Sequence, residues 1–176
     1  MAEKKQYTLD DVRKEAANYQ EQQAPTELIQ LVVFKLGGES YGLSIEQVKE
    51  VVLTPQVAKM PQTPIYIKGL SNIRGNIIAI MDLEQKFGLR RGEVAEDEFE
   101  YTLVIEDEKY KIGVLVRDVP DTITVPVEDI DRASDFVQYS SLDARCLVGV
   151  VTANERLVIL IDIIKMVEVE GIETDY

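Results

Sequence analysis

From Leu28 onward, apolar residues alternate with polar ones or run in blocks of four to six, a pattern that reads as strands rather than helices. IQLVVFKL, the turn GGE and SYGLSI form a first hairpin, and Ile45 to Val52 reads as a short helical turn carrying Val48 and Val51. Lys59 to Pro64 is a proline-punctuated loop. The next segment, PIYIKGLSNIRGNIIAIMDL from Pro64 to Leu83, is the most informative in the chain. In its first run Ile65, Ile67, Gly69 and Ser71 alternate with Tyr66, Lys68, Leu70 and Asn72. In its second run Ile77 to Met81 is almost continuously apolar, as expected of a strand covered on both faces. The Arg-Gly-Asn corner between them suits a hairpin turn that needs positive φ, a region that Gly tolerates and Asn adopts more readily than most residues. Asp82 is placed to cap a short helix, with Gln85 three residues on and Gly88 positioned to end it.

Arg90 to Glu100 is a polar connection. YTLVIEDEKYKIGVLV reads as another hairpin and Thr122 to Val127 as another strand. Asp129 to Asp143 is irregular and polar except for Phe136, Val137, Tyr139 and Leu142. CLVGVV, the turn TANE and RLVILI make the last hairpin, after which Asp162 starts a terminal helix. The first 26 residues are polar, with Thr8 and Asp11 placed to cap a short helix over Leu9, Val12, Ala16 and Tyr19, and are expected to be flexible or weakly docked.

Two internal echoes run through this pattern. Tyr41-Gly42 and Ile112-Gly113 each lead to a valine six positions past the glycine, Val48 and Val119. The strands ending at Asp82 and Asp162, eighty residues apart, both run into a short helix capped by that aspartate. Duplication of a small β unit accounts for both echoes and predicts two similar sub-barrels in place of one large sheet. Hairpins and capped helices recur in any β-rich protein, which is the competing account. Halves of roughly 60 to 70 residues are marginal for an independent core, so the two are expected to share one and to exchange strands.

Composition narrows the chemistry. The chain has 176 residues, is 45% hydrophobic and carries 32 acidic against 19 basic residues, for a net charge of −13. Such a surface repels phosphate backbones and anionic lipid, so nucleic acid and membrane are poor partners. Its longest apolar stretch, Leu157 to Ile164, is interrupted by Asp162 and falls short of a membrane span. The opening MAEKKQYTLDD lacks the apolar core of a signal peptide, and Cys146 is the only cysteine, so a cytoplasmic location is expected. Cys146, beside Leu147 and Val148 in an expected strand, reads as a packing residue rather than a reactive thiol.

With no histidine, the usual general base, the Ser-His-Asp and Cys-His arrangements, His-ligated metals and a phosphoacceptor histidine are all missing. Carboxylate or lysine chemistry stays open. Glu96-Asp97-Glu98 and Glu106-Asp107-Glu108 read as solvated loop charge. Glu128-Asp129-Ile130-Asp131 lacks the glycine and closing glutamate of a calcium loop, so no metal or cofactor is expected.

Pro64, Ile67, Gly69, Asn72, Arg74, Gly75, Ile77, Asp82 and Leu83 fall in register with P-x-x-I-x-G-x-x-N-x-R-G-x-I-x-x-x-x-D-L. That string resembles the hallmark of the CheW family of bacterial chemotaxis coupling proteins, and the resemblance runs from about Leu28 to Val167. It implies a mainly β fold of two intertwined five-stranded SH3-like β-barrels with short helices, one of them at the C-terminus, and a hydrophobic groove between the barrels. The expected organisation is a polar extension over 1–26, a CheW-like domain over 27–168 and a tail over 169–176.

The resemblance further implies a non-catalytic adaptor that couples the cytoplasmic tip of a chemoreceptor to the regulatory domain of the histidine kinase CheA. Arg74 matches the arginine in the region where CheW proteins engage receptors and kinase. Its fork beside a glycine turn is suited to carboxylates or carbonyls. Val48 and Glu50, with Lys49 between them, fall where the family places residues at the groove mouth. Lys68 and Ile77 flank Arg74, and Thr122 stands where the family often has an apolar groove residue. These six, Val48, Glu50, Lys68, Arg74, Ile77 and Thr122, are the expected receptor-binding residues. Phe136 is the expected kinase-binding residue; nearby, Asp131 occupies a position often basic in relatives, which leaves the polar part of that contact unsupported. The alternatives are a coupling protein of another motility or signalling array, or a small β-barrel ligand-binding protein or carboxylate-based enzyme.

Overall fold

A computed structural model describes residues 8–10, 12–14, 25–89, 98–132 and 144–170. Ten strands run in chain order: β1 Leu28–Leu36, β2 Glu39–Ser44, β3 Val48–Leu53, β4 Ile67–Ile73, β5 Asn76–Met81, β6 Tyr101–Glu106, β7 Lys111–Val116, β8 Asp121–Pro126, β9 Leu147–Ala153 and β10 Arg156–Ile161. A short helix, Leu83–Lys86, follows β5, and a longer one, Ile163–Glu170, follows β10.

The strands form two five-stranded sheets, ordered β8-β1-β2-β10-β9 and β3-β6-β7-β5-β4. Each sheet has one parallel contact, β10 with β2 and β5 with β7. Each also curls until the chain beyond its first-named edge strand meets the opposite edge. In the first barrel Asp131, after β8, bridges to Val150 of β9; in the second, Ala58, after β3, bridges to Leu70 of β4. The chain crosses from the first barrel to the second between β2 and β3, and back between β7 and β8. Strand exchange between repeated halves, expected from their size, is therefore what the topology shows.

Three apolar clusters explain why so many strands are apolar at consecutive positions. On β1, Leu31 and Val33 face the interior of the first barrel, whereas Val32, Phe34 and Leu36 join a larger cluster between the barrels. On β5, Ile78 and Ile80 fill the second barrel and Met81 joins the shared cluster. Leu83 and Phe87 near the first helix, and Ile163, Ile164, Met166 and Val167 of the last, complete that shared core. Complete burial of one such side chain contributes roughly 1.5–3 kcal/mol, so a core drawing on both halves welds them together.

Several local expectations are corrected. Ile45 to Val52 is not a helical turn: a 3-10 turn covers only Ile45–Gln47, capped by Ser44, and β3 begins at Val48. The β-branched valines there pair with β6, and sheet pairing overrides local helical spacing. In the Arg-Gly-Asn corner, positive φ falls on Arg74 (51°) and Gly75 (86°), while Asn76 begins β5. Two consecutive left-handed residues make the turn that matches strand twist, and the Asn72 side chain holds it by accepting from the Gly75 N–H at 2.9 Å. The expected alternation holds from Gly69 to Ile73 but not at Ile65 to Lys68, because β4 starts at Ile67 and its register shifts between Ile67 and Gly69. Cys146 is buried, as expected of a packing residue, but precedes β9 instead of lying within it.

Both expected caps are present. Asp82 accepts from the Gln85 N–H at 3.1 Å, and Asp162 accepts from the Lys165 N–H at 3.0 Å. The first helix ends as expected at Gly88, with φ 67° and its N–H donating to the Gln85 carbonyl. Near the N-terminus, Leu9, Asp10 and Val12 to Lys14 are helical, with Leu9 and Val12 exposed. Asp11, Ala16 and Tyr19 lie outside the described residues.

Gly69 provides a direct test of the second barrel's closure. Its φ is 142°, and a Cβ placed there would lie 2.0 Å from the Ala58 carbonyl oxygen. Gly69→Ala is expected to destabilise the protein by roughly 2–4 kcal/mol. Gly75→Ala, with φ 86° but nothing within 4 Å of the added Cβ, is expected to cost only about 1–2 kcal/mol. Denaturant midpoints of the two variants would check the ranking.

Candidate functional site

The β4–β5 hairpin presents Arg74 at the mouth of the second barrel. Its left-handed backbone aims the side chain back over β3, where Nε donates to Glu50 Oε2 at 2.6 Å. The Arg74 side chain remains 76% exposed, with Nε engaged by Glu50. An exposed pair of this kind contributes less than about 1 kcal/mol to stability. It contributes orientation instead.

Ile77, opposite Asn72 in the hairpin register, is 53% exposed. Its position follows from strand period: Ala79 and Met81 lie on the same face and are buried, so Ile77 is where that apolar row emerges into solvent. It lies beside an open depression of about 660 Å³ whose walls include Val57, Leu70 and Asn72. On its other side lies the charged β6–β7 turn. There Glu106 forms ion pairs with Lys49 at 2.6 Å and with Lys111 at 3.1 Å. Lys49 belongs to β3, at a register shift that turns Lys49 outward beside the half-buried Val48 and Glu50. The result is an apolar side chain and a hollow, bounded by one arginine–carboxylate pair and one lysine–carboxylate cluster.

The remaining expected residues divide. Val48 is half-buried and packs against the shared core. Lys68 is only 12% exposed on its side chain, and its amine is held by Gln85 Oε1 at 2.8 Å and Asp82 at 3.7 Å, so it braces the hairpin against the first helix. Thr122 is exposed on β8, opposite Val32, and so belongs to the first barrel. Glu50, Arg74 and Ile77 thus share one end of the second barrel. Phe136 lies outside the described residues.

The polar groups with the densest partners were not anticipated. Glu84, in the first helix, takes Nε and Nη2 of Arg117 at 3.1 and 2.8 Å, and Arg117 also donates to Glu98 at 2.8 Å. These partners hold the Arg117 guanidinium in its charged form well above its ordinary pKa. Glu98 and Glu106, expected as solvated loop charge, are members of these networks. Glu84 resembles any acid in a helix's first turn, so its spacing gives no sign of a distant arginine. Among the described residues no group of three or more His, Cys, Asp or Glu side chains could hold a metal ion.

Comparison with known proteins agrees with this architecture. The family model described as CheW-like domain matches residues 30–170. The chain is 35% identical over 141 residues to chemotaxis protein CheW of Klebsiella aerogenes, covering 80% of this chain and 82% of that protein. It is 32% identical over 143 residues to chemotaxis protein CheW of Treponema pallidum, with the same coverage. The crystal structure of scaffolding protein TtCheW from Thermoanaerobacter tengcongensis superimposes with a TM-score of 0.71 at 29% identity, covering 86% of this chain and 96% of that one.

The Glu106 cluster generates a prediction about acid stability. Pairing with Lys49 above all, and with Lys111, outweighs burial and lowers the Glu106 pKa. Folding therefore favours the charged carboxylate. The stabilisation is present above the unfolded value of about 4.3 and is lost as pH falls through the lower folded value. Glu106→Gln should flatten the acid limb of a stability-versus-pH curve measured by urea midpoints; an unchanged limb would assign that loss to other carboxylates.

Proposed function

The chain belongs to the CheW-like family, and from that premise we propose that it is a non-catalytic adaptor joining the cytoplasmic tip of a chemoreceptor to the regulatory domain of CheA. A cytoplasmic location goes with this reading; among the described residues no helix is long and apolar enough to cross a membrane. The observation that carries the proposal is the pre-oriented Arg74 fork next to exposed Ile77. An apolar anchor flanked by a hydrogen-bonding rim is the arrangement through which protein interfaces gain most of their energy.

The receptor's helical hairpin tip would set an apolar side chain against Ile77 and the hollow beside Val57. Its carbonyl or carboxylate groups would accept from the outward edge of Arg74. Glu50 serves by holding that edge in place, Lys68 braces the hairpin, and Val48 anchors β3 on the shared core. Thr122 would extend the contact across the groove to the first barrel, with Phe136 assigned to the kinase side. Such a site gives affinity of about micromolar order, which suits an array component. The mechanism is geometric, since kinase and receptor are held by one rigid double barrel.

Arg74→Glu tests this directly. It should weaken capture of a receptor-tip fragment and abolish receptor control of CheA. Stability should change by less than about 1 kcal/mol, because an exposed pair is all that is lost. Pull-downs with each partner alone and with both together, beside a thermal melt, would check it. A large drop in melting temperature would make Arg74 a structural residue, and intact capture would move the receptor face elsewhere.

A further inference from the structure

In each barrel one hairpin, β4–β5 or β9–β10, leads into a helix, and each helix places one glutamate against the opposite half of the molecule. The helix after β5, in the second barrel, carries Glu84. Besides holding Arg117, Glu84 Oε1 accepts from the Gly37 N–H at 3.3 Å, at the tip of the β1–β2 turn of the first barrel. The helix after β10, in the first barrel, ends at Glu170. Its carboxylate accepts from the Tyr66 hydroxyl at 2.8 Å and from the Lys86 amine. Tyr66 leads into β4, and Lys86 belongs to the helix after β5, so both groups are on the side of the second barrel.

These contacts are built rather than incidental. The Glu84 side chain is 5% exposed and that of Lys86 8%. Lys86 also sits 4.1 Å over the Tyr66 ring. A charge this far from water is held by its partner, and loss of the partner leaves it uncompensated. Burial, then the hydrogen bond to Glu170, pushes the Tyr66 phenol up to about 12, so Tyr66 remains a donor near neutral pH. Arg117 stands where the chain leaves β7 to cross to β8, tying the Glu84 contact to a crossover. The apolar core between the barrels supplies attraction without direction; the two glutamates supply direction.

We propose that Glu84 and Glu170 are paired straps that set the angle between the two barrels, and that this angle determines how receptor state reaches the kinase. The inference rests on the adaptor reading and deepens it. Arg117, Tyr66 and Lys86 are positioning residues in this scheme, acting through the barrel angle with no contact to either partner.

The test uses the full chain with spin labels at Lys35→Cys in the first barrel and Glu108→Cys in the second, in a Cys146→Ala background. Pulsed dipolar spectroscopy should give one narrow distance distribution for the parent and a broadened or shifted one for Glu170→Gln and for Arg117→Ala. Binding to a receptor-tip fragment and to the CheA regulatory domain, each measured alone, should stay essentially unchanged. Receptor control of kinase activity in the ternary mixture should fall about fivefold or more. An unchanged distance distribution would overturn the straps, and a broadened one with control intact would overturn their role in signalling. If Arg117→Ala fails to fold, Glu170→Gln, at the edge of the molecule, decides alone. Failure of the parent to bind either partner would remove the adaptor reading itself, while the distances would still judge the straps.

Discussion

The structure depends on an apolar core that belongs to neither barrel. Val32, Phe34 and Leu36 from one sheet meet Leu103, Ile105, Ile112 and Val114 from the other, with Leu83 and Ile163 of the two helices sealed between them at 0% exposure. A unit of this size cannot hide both faces of its sheet by itself. Closing the sheet into a barrel covers one face, and packing on the second barrel covers the other. Strand exchange makes the arrangement harder to undo, because β3 and β8 each complete the barrel opposite to the hairpin that precedes them. Pulling the barrels apart would therefore break sheet hydrogen bonds as well as apolar contact.

Period-two patterning made most of this architecture legible. Apolar runs such as Ile77 to Met81 announced strands covered on both faces, which holds from Ile78 while Ile77 is exposed, and Asp82 and Asp162 marked two helix starts eighty residues apart. The errors are equally physical. Val48 and Val51 have a spacing that fits a helix as well as a strand, and pairing with β6 decides between them. The hairpin corner was placed correctly and Gly75 takes the left-handed φ expected of it, but Arg74 and not Asn76 supplies the second left-handed residue, because register decides against propensity. Arg74 and Ile77 stood out in the sequence through the hairpin's resemblance to the family string, and both are exposed in the fold. The setting of Lys68 was not legible, since its neighbours along the chain give no sign of Gln85 and Asp82 at the facing helix. Glu84 and Arg117, and likewise Tyr66 and Glu170, meet across long sequence separations, and composition is silent about such pairs.

The eighty-residue offset also explains how one small fold offers two different ends. Ile77 and Leu157 both sit one residue into their second strand, opposite Asn72 and Thr152, and both are exposed while the rest of their face is buried. Both hairpins turn through two left-handed residues, Arg74-Gly75 and Asn154-Glu155. An arginine near each turn reaches a carboxylate on the exchanged strand, Arg74 to Glu50 at 2.6 Å and Arg156 to Asp121 at 3.7 Å. The scaffold is repeated, but its chemistry is not. In the second barrel the arginine occupies the turn itself and its pair is tight; in the first the turn is Asn-Glu and the pair is loose.

That difference has a mechanical consequence for an adaptor. Two identical ends would compete for the same partner, whereas unlike ends on a common core bind different ones without interfering. Discrimination needs only the side chains at each mouth to diverge, since barrel closure, capped helices and the shared core are indifferent to them. Transmission needs the opposite property: whatever one end feels must reach the other without being absorbed by a hinge. A core buried on both faces resists sliding, and polar contacts that cross between the barrels, such as Glu170 with Tyr66 and Lys86, resist rotation, because their hydrogen bonds have a direction that apolar packing lacks. Variable mouths on an invariant frame reconcile the two demands, and here the buried polar groups belong to the frame while Arg74 and Ile77 remain at the surface.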